Sequence, residues 1–199
     1  MNKRNHMQDF YLKYKICVSG AAETSHCGEE AFAIAEELGR EIIKQGAVLV
    51  DGATTGFPFW AAKGAKKEGG IVIGVSPAES KREHIVDYEL PVDYHDIVMY
   101  TGQGYSGRNL LLTRMTDAVI VGCGRMGTLN EFTIAFEDKK PIGVLEGSWE
   151  TDEVLKTIVE KSQRAEEMKN KLVFSNDPKD LIAKVIGLIR KEEEENGIK

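Results

Sequence analysis

The residues best suited to chemistry lie close together: Arg108, then Gly122-Cys123-Gly124-Arg125-Met126-Gly127, then Thr128 and Glu131. Glycines let a backbone approach an anion closely, and the free N–H groups and dipole at a helix start favour phosphate. Thr128 adds a hydroxyl donor at the same place. Arg108 is a permanent cation, suited to holding phosphate or stabilising charge on a leaving base, and unsuited to acting as a general acid. Glu131 is the candidate to stabilise an oxocarbenium-like centre and orient water, as carboxylates do in glycoside hydrolysis. Plainer readings stand beside these. Thr128-x-x-Glu131 is also a literal capping box, in which Glu131 would reach back to the Thr128 N–H. Arg108 could be a surface ion-pair partner near a helix start, although a cation in a first helical turn opposes the macrodipole.

The glycine run is literally G-x-G-x-x-G, and Glu146 stands at about the spacing of a ribose contact, so a dinucleotide site is one reading. That fingerprint usually marks the first βα turn, whereas four strands precede it here. Arg125 could add a second cation at the phosphate or point to solvent. Asn109 could bond a base or ribose, or only brace a loop. Cys123 reads as a small residue in a turn, and His26 as incidental.

These residues must be positioned by elements that alternate. Short apolar runs at 15–19, 47–50, 71–75, 97–100, 117–121 and 141–145 read as strands, with a shorter one at 172–174. Helical patterns fill 29–45, 60–67, 107–115, 127–137, 152–161 and 178–190, the last with Asn176 or Asp177 as cap and Pro178 in its first turn. Strands without a polar face, alternating with helices, imply an α/β fold: a single Rossmann-like domain with a parallel sheet covered on both faces. Right-handed crossovers put every βα loop on one edge, where such sheets bind ligands. Four of those loops are rich in glycine and small residues, at 20–22, 52–56, 101–107 and 122–128. They nominate Gly20, Ala21, Gly52, Thr54, Gly56, Asn109, Gly124, Arg125, Met126, Gly127 and Thr128 as nucleotide or phosphate contacts. The stretch 76–95 reads as a long surface connection forming part of a lid.

Composition narrows the class. A net charge of −6 argues against a general nucleic-acid binder but not against a small anion held by backbone N–H groups and one arginine. The three cysteines include no C-x-x-C pair, so neither a disulfide framework nor a zinc site is expected, and a reducing, cytoplasmic setting fits. No signal peptide or membrane span is read, and no metal or cofactor is expected. Residues 1–14 read as an extension, 15–190 as the domain and 191–199 as a charged tail.

The segments KICVSGAAE, GAVLVDGATTGFPFWAAKGAKKEGGIVIGVSP and GRNLLLTRMTDAVIVGCGRMGTLNEFTIAFEDKKPIGVL resemble, in order and spacing, the SLOG superfamily. That group includes the LONELY GUY-type phosphoribohydrolases, the proteins misnamed lysine decarboxylases, and molybdenum-cofactor carrier proteins. The resemblance implies a mononucleotide with its phosphate on the G-T loop, and a homodimer. It also implies Arg108 and Glu131 as the pair that cleaves the N-glycosidic bond of an AMP-like purine nucleoside 5′-monophosphate. The alternative it implies is a non-catalytic carrier or sensor of a nucleotide-like ligand such as a molybdenum cofactor. Two departures bear on the choice. The hydrolases read P-G-G-x-G-T-x-x-E where this chain has Cys123-Gly124-Arg125-Met126 before Gly127. They read Arg-Lys where it has Arg108-Asn109, a form closer to the carrier-like branch.

Overall fold

A run such as Ala118–Val121, buried at every position, has no face to give to water and pairs on both sides. Such runs build the sheet. The computed structural model describes residues 12–197. In chain order the elements are β1 (Lys15–Ser19), α1 (Ala31–Lys44), β2 (Val48–Asp51), α2 (Phe57–Lys67), β3 (Val72–Ser76), β4 (Ile97–Tyr100) and α3 (Gly104–Met115). Then follow β5 (Ala118–Val121), α4 (Met126–Glu137), β6 (Ile142–Leu145), α5 (Thr151–Lys161), β7 (Leu172–Ser175) and α6 (Pro178–Glu195). Of the expected extension 1–14, residues 1–11 lie outside the described residues, as do 198–199 of the expected tail.

The seven strands form one sheet in the order β4-β3-β2-β1-β5-β6-β7, with every pairing parallel. The α/β Rossmann-like architecture is therefore as expected. Side chains alternate across each strand and divide the core in two. Ile16, Val18, Leu49 and Ile120 pack with α1, α2 and α6 on one face. Cys17, Val50, Val119 and Val121 pack with Leu112, Phe132, Ala135 and Leu155 of α3, α4 and α5 on the other. The direction of winding reverses at β1, which pairs with β2 on one edge and β5 on the other. That switch point brings the loops after β1 and β5 side by side, where parallel sheets hold ligands.

Of the helix starts that differ from expectation, two bear on the site. α3 begins at Gly104, so Arg108 stands in its second turn and the argument from an unfavourable first-turn cation does not apply. α4 begins at Met126 with Arg125 at the N-cap, which puts Thr128 inside the helix. Asp177 does cap α6, accepting from the Lys179 N–H at 2.9 Å.

The connection between β3 and β4, read from the sequence as a long surface segment forming part of a lid, is anchored to the body of the domain. It contains a π-helical turn at Glu83–Asp87, and His84 within it is fully buried. The His84 Nε2–H donates to the Pro91 carbonyl at 2.9 Å, while Nδ1 accepts from the Ser76 hydroxyl at 2.8 Å. Farther along, His95 reaches the Asp51 carboxylate at 2.8 Å through Nε2 and the Asp93 carbonyl at 2.9 Å through Nδ1. Both ring nitrogens of His95 face acceptors, the arrangement of an imidazolium.

Candidate anion-binding site

The loops at the switch point are stitched together by their own backbone. The Ala21 N–H donates to the Cys123 carbonyl at 2.8 Å, and the Phe57 N–H donates to the Ala21 carbonyl at 3.0 Å. Between them and α3 opens a cavity of about 300 Å³. Of the residues nominated from sequence, Gly20, Ala21, Thr54, Arg108, Asn109, Arg125, Gly127, Thr128 and Glu131 line it. Ala22, Glu23 and Tyr105 complete the lining and are new.

The remaining glycines act from behind or beside it. A Cβ on Gly52 would overlap the Arg108 guanidinium, so this glycine makes room for the arginine rather than for a ligand. Gly56 has φ +75°, and a Cβ there would run into the Ala21 carbonyl oxygen. Gly124 and Met126 line a neighbouring pocket of about 400 Å³ with Leu129, Trp149, Val154 and Leu155. Met126 itself is 77% exposed.

Arg108 is only 6% exposed. Its Nη1 donates to the Val75 carbonyl at 3.3 Å, and its Nε has no partner. A buried guanidinium held this lightly has electrostatic capacity to spare for an anion. The Tyr105 ring lies 6.0 Å from its central carbon.

Glu131 is likewise 6% exposed. Its Oε2 accepts a hydrogen bond from the Ser19 hydroxyl, at the carboxyl end of β1. The capping-box reading is corrected: helix α4 has no side-chain cap, and Glu131 points across to β1 instead of back to Thr128. Burial pushes the Glu131 carboxyl above the usual carboxylate range, with Asp51 adding to it; Arg108 and Ser19 pull the other way without cancelling it.

At the mouth, Arg125 pairs with Glu23. Both side chains are more than half exposed, so this pair adds little stability. Asn109 Nδ2 donates to Asn130 Oδ1 at 3.0 Å, a brace between α3 and α4. Glu146, the ribose contact of the dinucleotide reading, is taken by Lys156 at 2.6 Å.

One expectation fails outright. Cys27 and Cys123 form a disulfide, with Cα atoms 5.7 Å apart, and among the described residues Cys17 is the free thiol. Cysteine usage therefore no longer argues for a reducing compartment. His26 is not incidental either. Its Nε2 lies 3.4 Å from Cys123 Sγ, 3.8 Å from Cys27 Sγ and 3.3 Å from the Gly124 carbonyl oxygen. These three donor atoms lie within 4.8 Å of one another, but sulfurs bonded to each other are not thiolate ligands for a metal. Among the described residues no helix is long and apolar enough to cross a membrane.

A family model described as the SLOG cluster4 family matches residues 13–182. The chain belongs to that family. An uncharacterized protein of Archaeoglobus fulgidus is 34% identical over 131 residues, covering 66% of this chain and 79% of the relative. Among solved structures, the molybdenum cofactor carrier protein of Chlamydomonas reinhardtii is 29% identical with a TM-score of 0.71, over 90% of this chain and 99% of that one. The molybdenum cofactor binding protein of Rippkaea orientalis is 27% identical with a TM-score of 0.68, over 91% and 98% of the two chains. Family membership and the cavity together support a site for a nucleotide-like ligand.

Proposed function

We propose that this chain binds a phosphate-bearing, nucleotide-like ligand and carries it intact, the class of cargo being a phosphorylated pterin such as the molybdenum cofactor. The phosphate would sit at the first turn of α4, where the Gly127 and Thr128 N–H groups lack intrahelical partners, with Arg108 opposite. The observation that carries the reading is the Glu131 carboxyl. It is buried and its Oε2 is already engaged by the Ser19 hydroxyl, whereas stabilising an oxocarbenium or activating water calls for a carboxylate free to face the substrate. The departures Arg125 and Asn109 and the similarity to two cofactor-handling proteins support the same reading.

A second reading, hydrolysis of an AMP-like nucleoside 5′-monophosphate, is favoured by one feature: Arg108 and Glu131 line the same cavity. Incubation with AMP and N6-modified AMP, followed by chromatography for free base, separates the two. Binding of intact ligand with no base released supports the carrier. Release of base that disappears in Glu131→Gln supports the hydrolase and overturns the carrier. The expected assembly is a homodimer, consistent with Leu110 and Leu111 standing exposed on α3 at 37% and 43%.

A further inference from the structure

Cys27 and Cys123 are 96 positions apart, and their bond ties the loop after β1 to the loop after β5 across the switch point. Both loops line the cavity, one through Gly20 and Glu23, the other through Arg125, with Gly127 just beyond it in the first turn of α4. Cys123 stands between Gly122 and Gly124, just ahead of the first turn of α4. A backbone flanked by glycines has wide freedom, and a covalent bond at its centre removes most of it. The other ties on this loop are non-covalent. The Ala21 N–H donates to the Cys123 carbonyl at 2.8 Å, the Gly122 N–H to the Ser19 carbonyl at 3.0 Å and the Gly124 N–H to Thr151 Oγ1 at 2.9 Å. Beside them stand the exposed Arg125–Glu23 pair and the His26 contact with the Gly124 carbonyl. Both sulfurs are buried at the edge of the core that α1, α2 and α6 form on the sheet, and on their outer side the exposed His26 ring lies against them.

We propose that the Cys27–Cys123 disulfide is a redox latch on the ligand site: closed, it holds the phosphate loop in binding geometry, and opened, it releases the loop and weakens binding. The inference rests on the reading of this cavity as the phosphate site. Opening is thiol–disulfide exchange with a small dithiol. One thiolate of the reductant attacks a protein sulfur as the S–S bond breaks, and its second thiolate then displaces that sulfur. The reductant leaves as a cyclic disulfide, having lost two electrons, and its two protons end on Cys27 and Cys123. Closing is the reverse, with a disulfide as oxidant. A closed latch favours the ligand because less loop entropy is lost on binding.

The test uses the full chain, dithiothreitol as reductant and AMP as probe. Alkylation under denaturing conditions should label Cys17 alone before reduction and all three cysteines after it. Amide exchange in 20–28 and 122–128 should quicken about tenfold on reduction. AMP affinity should fall about tenfold, and both changes should reverse on reoxidation. The variant Cys27→Ser/Cys123→Ser should behave as the reduced protein under both conditions; if it fails to fold, the reduced wild type supplies the same comparison. Three labelled thiols without reductant, or loops whose exchange ignores reduction, would overturn the latch. If AMP binds both forms equally, the latch fails and the phosphate site stands. If AMP binds neither form while exchange responds, the phosphate reading fails and the latch on the loops stands.

Discussion

The guanidinium of Arg108 lies in the space where a side chain on Gly52 would have to begin. A residue on α3 is thus seated by the loop after β2, and the buried cation of the cavity depends on a glycine that does not line it. Gly52→Ala should displace Arg108 and lower AMP affinity by roughly tenfold or more, equivalent to about 1.4 kcal/mol. Arg108→Lys should do the same, since a point charge does not replace a planar fork. Calorimetric titration measures both, and unchanged far-ultraviolet circular dichroism shows that the fold is retained. Normal affinity in Gly52→Ala would mean that Arg108 is not a ligand contact.

Glu131 gives a pH signature. A carboxyl held above its ordinary range binds more protons folded than unfolded, so stability is greatest at low pH and falls as pH climbs toward the raised value. Glu131→Gln removes that slope, because a neutral amide still accepts from Ser19. The variant should therefore unfold at a higher temperature than the wild type at pH 8, with the difference closing below pH 4. Thermal unfolding across that range checks it.

His95 runs with the opposite cause. Burial draws its pKa down, but the charge and hydrogen bond of Asp51 outweigh burial and hold it above the usual histidine value. The stability it contributes is complete below about pH 6.5 and is lost as pH rises through the raised value. Urea denaturation at pH 6 and pH 9 should show this loss in the wild type. In His95→Gln the difference should shrink.

The exposed pair on α3 tests assembly. Leu110→Glu/Leu111→Glu should convert a homodimer to monomer in sedimentation velocity while leaving the monomer folded, since neither side chain belongs to the core. An unchanged sedimentation coefficient would place any dimer contact elsewhere.

Much of the fold was legible because fully apolar four- and five-residue runs such as AVIV admit few alternatives to a buried parallel strand. The candidate site was legible to the extent that glycine and small residues gather after strands, and nine nominated residues do line one cavity. What escaped reading was geometry that periodicity does not encode. The Thr128-to-Glu131 spacing fits both a cap and an inward-facing helical position, and the choice turned on a start at Met126. Ser19 looked like the last residue of a strand, with nothing to show that a carboxyl from α4 would reach it. The Cys27–Cys123 pairing needed the strand order, because only the reversal at β1 makes those loops neighbours. Tyr105 was hidden in a loop that proved to be the first turn of α3.

That reversal at β1 also sets a timetable. The strand on which the site is centred is made first, yet its second neighbour, β5, follows about a hundred residues later. At usual rates of synthesis, roughly 6–20 s separate the appearance of Gly20 from that of Glu131 on the ribosome. During that interval a nascent chain can pair β1 with β2 and β2 with β3 but leaves the other edge of β1 bare, with Cys17 and Ser19 on it. The future ligand cleft is therefore first an open seam, and β5 must arrive to close it before another chain does.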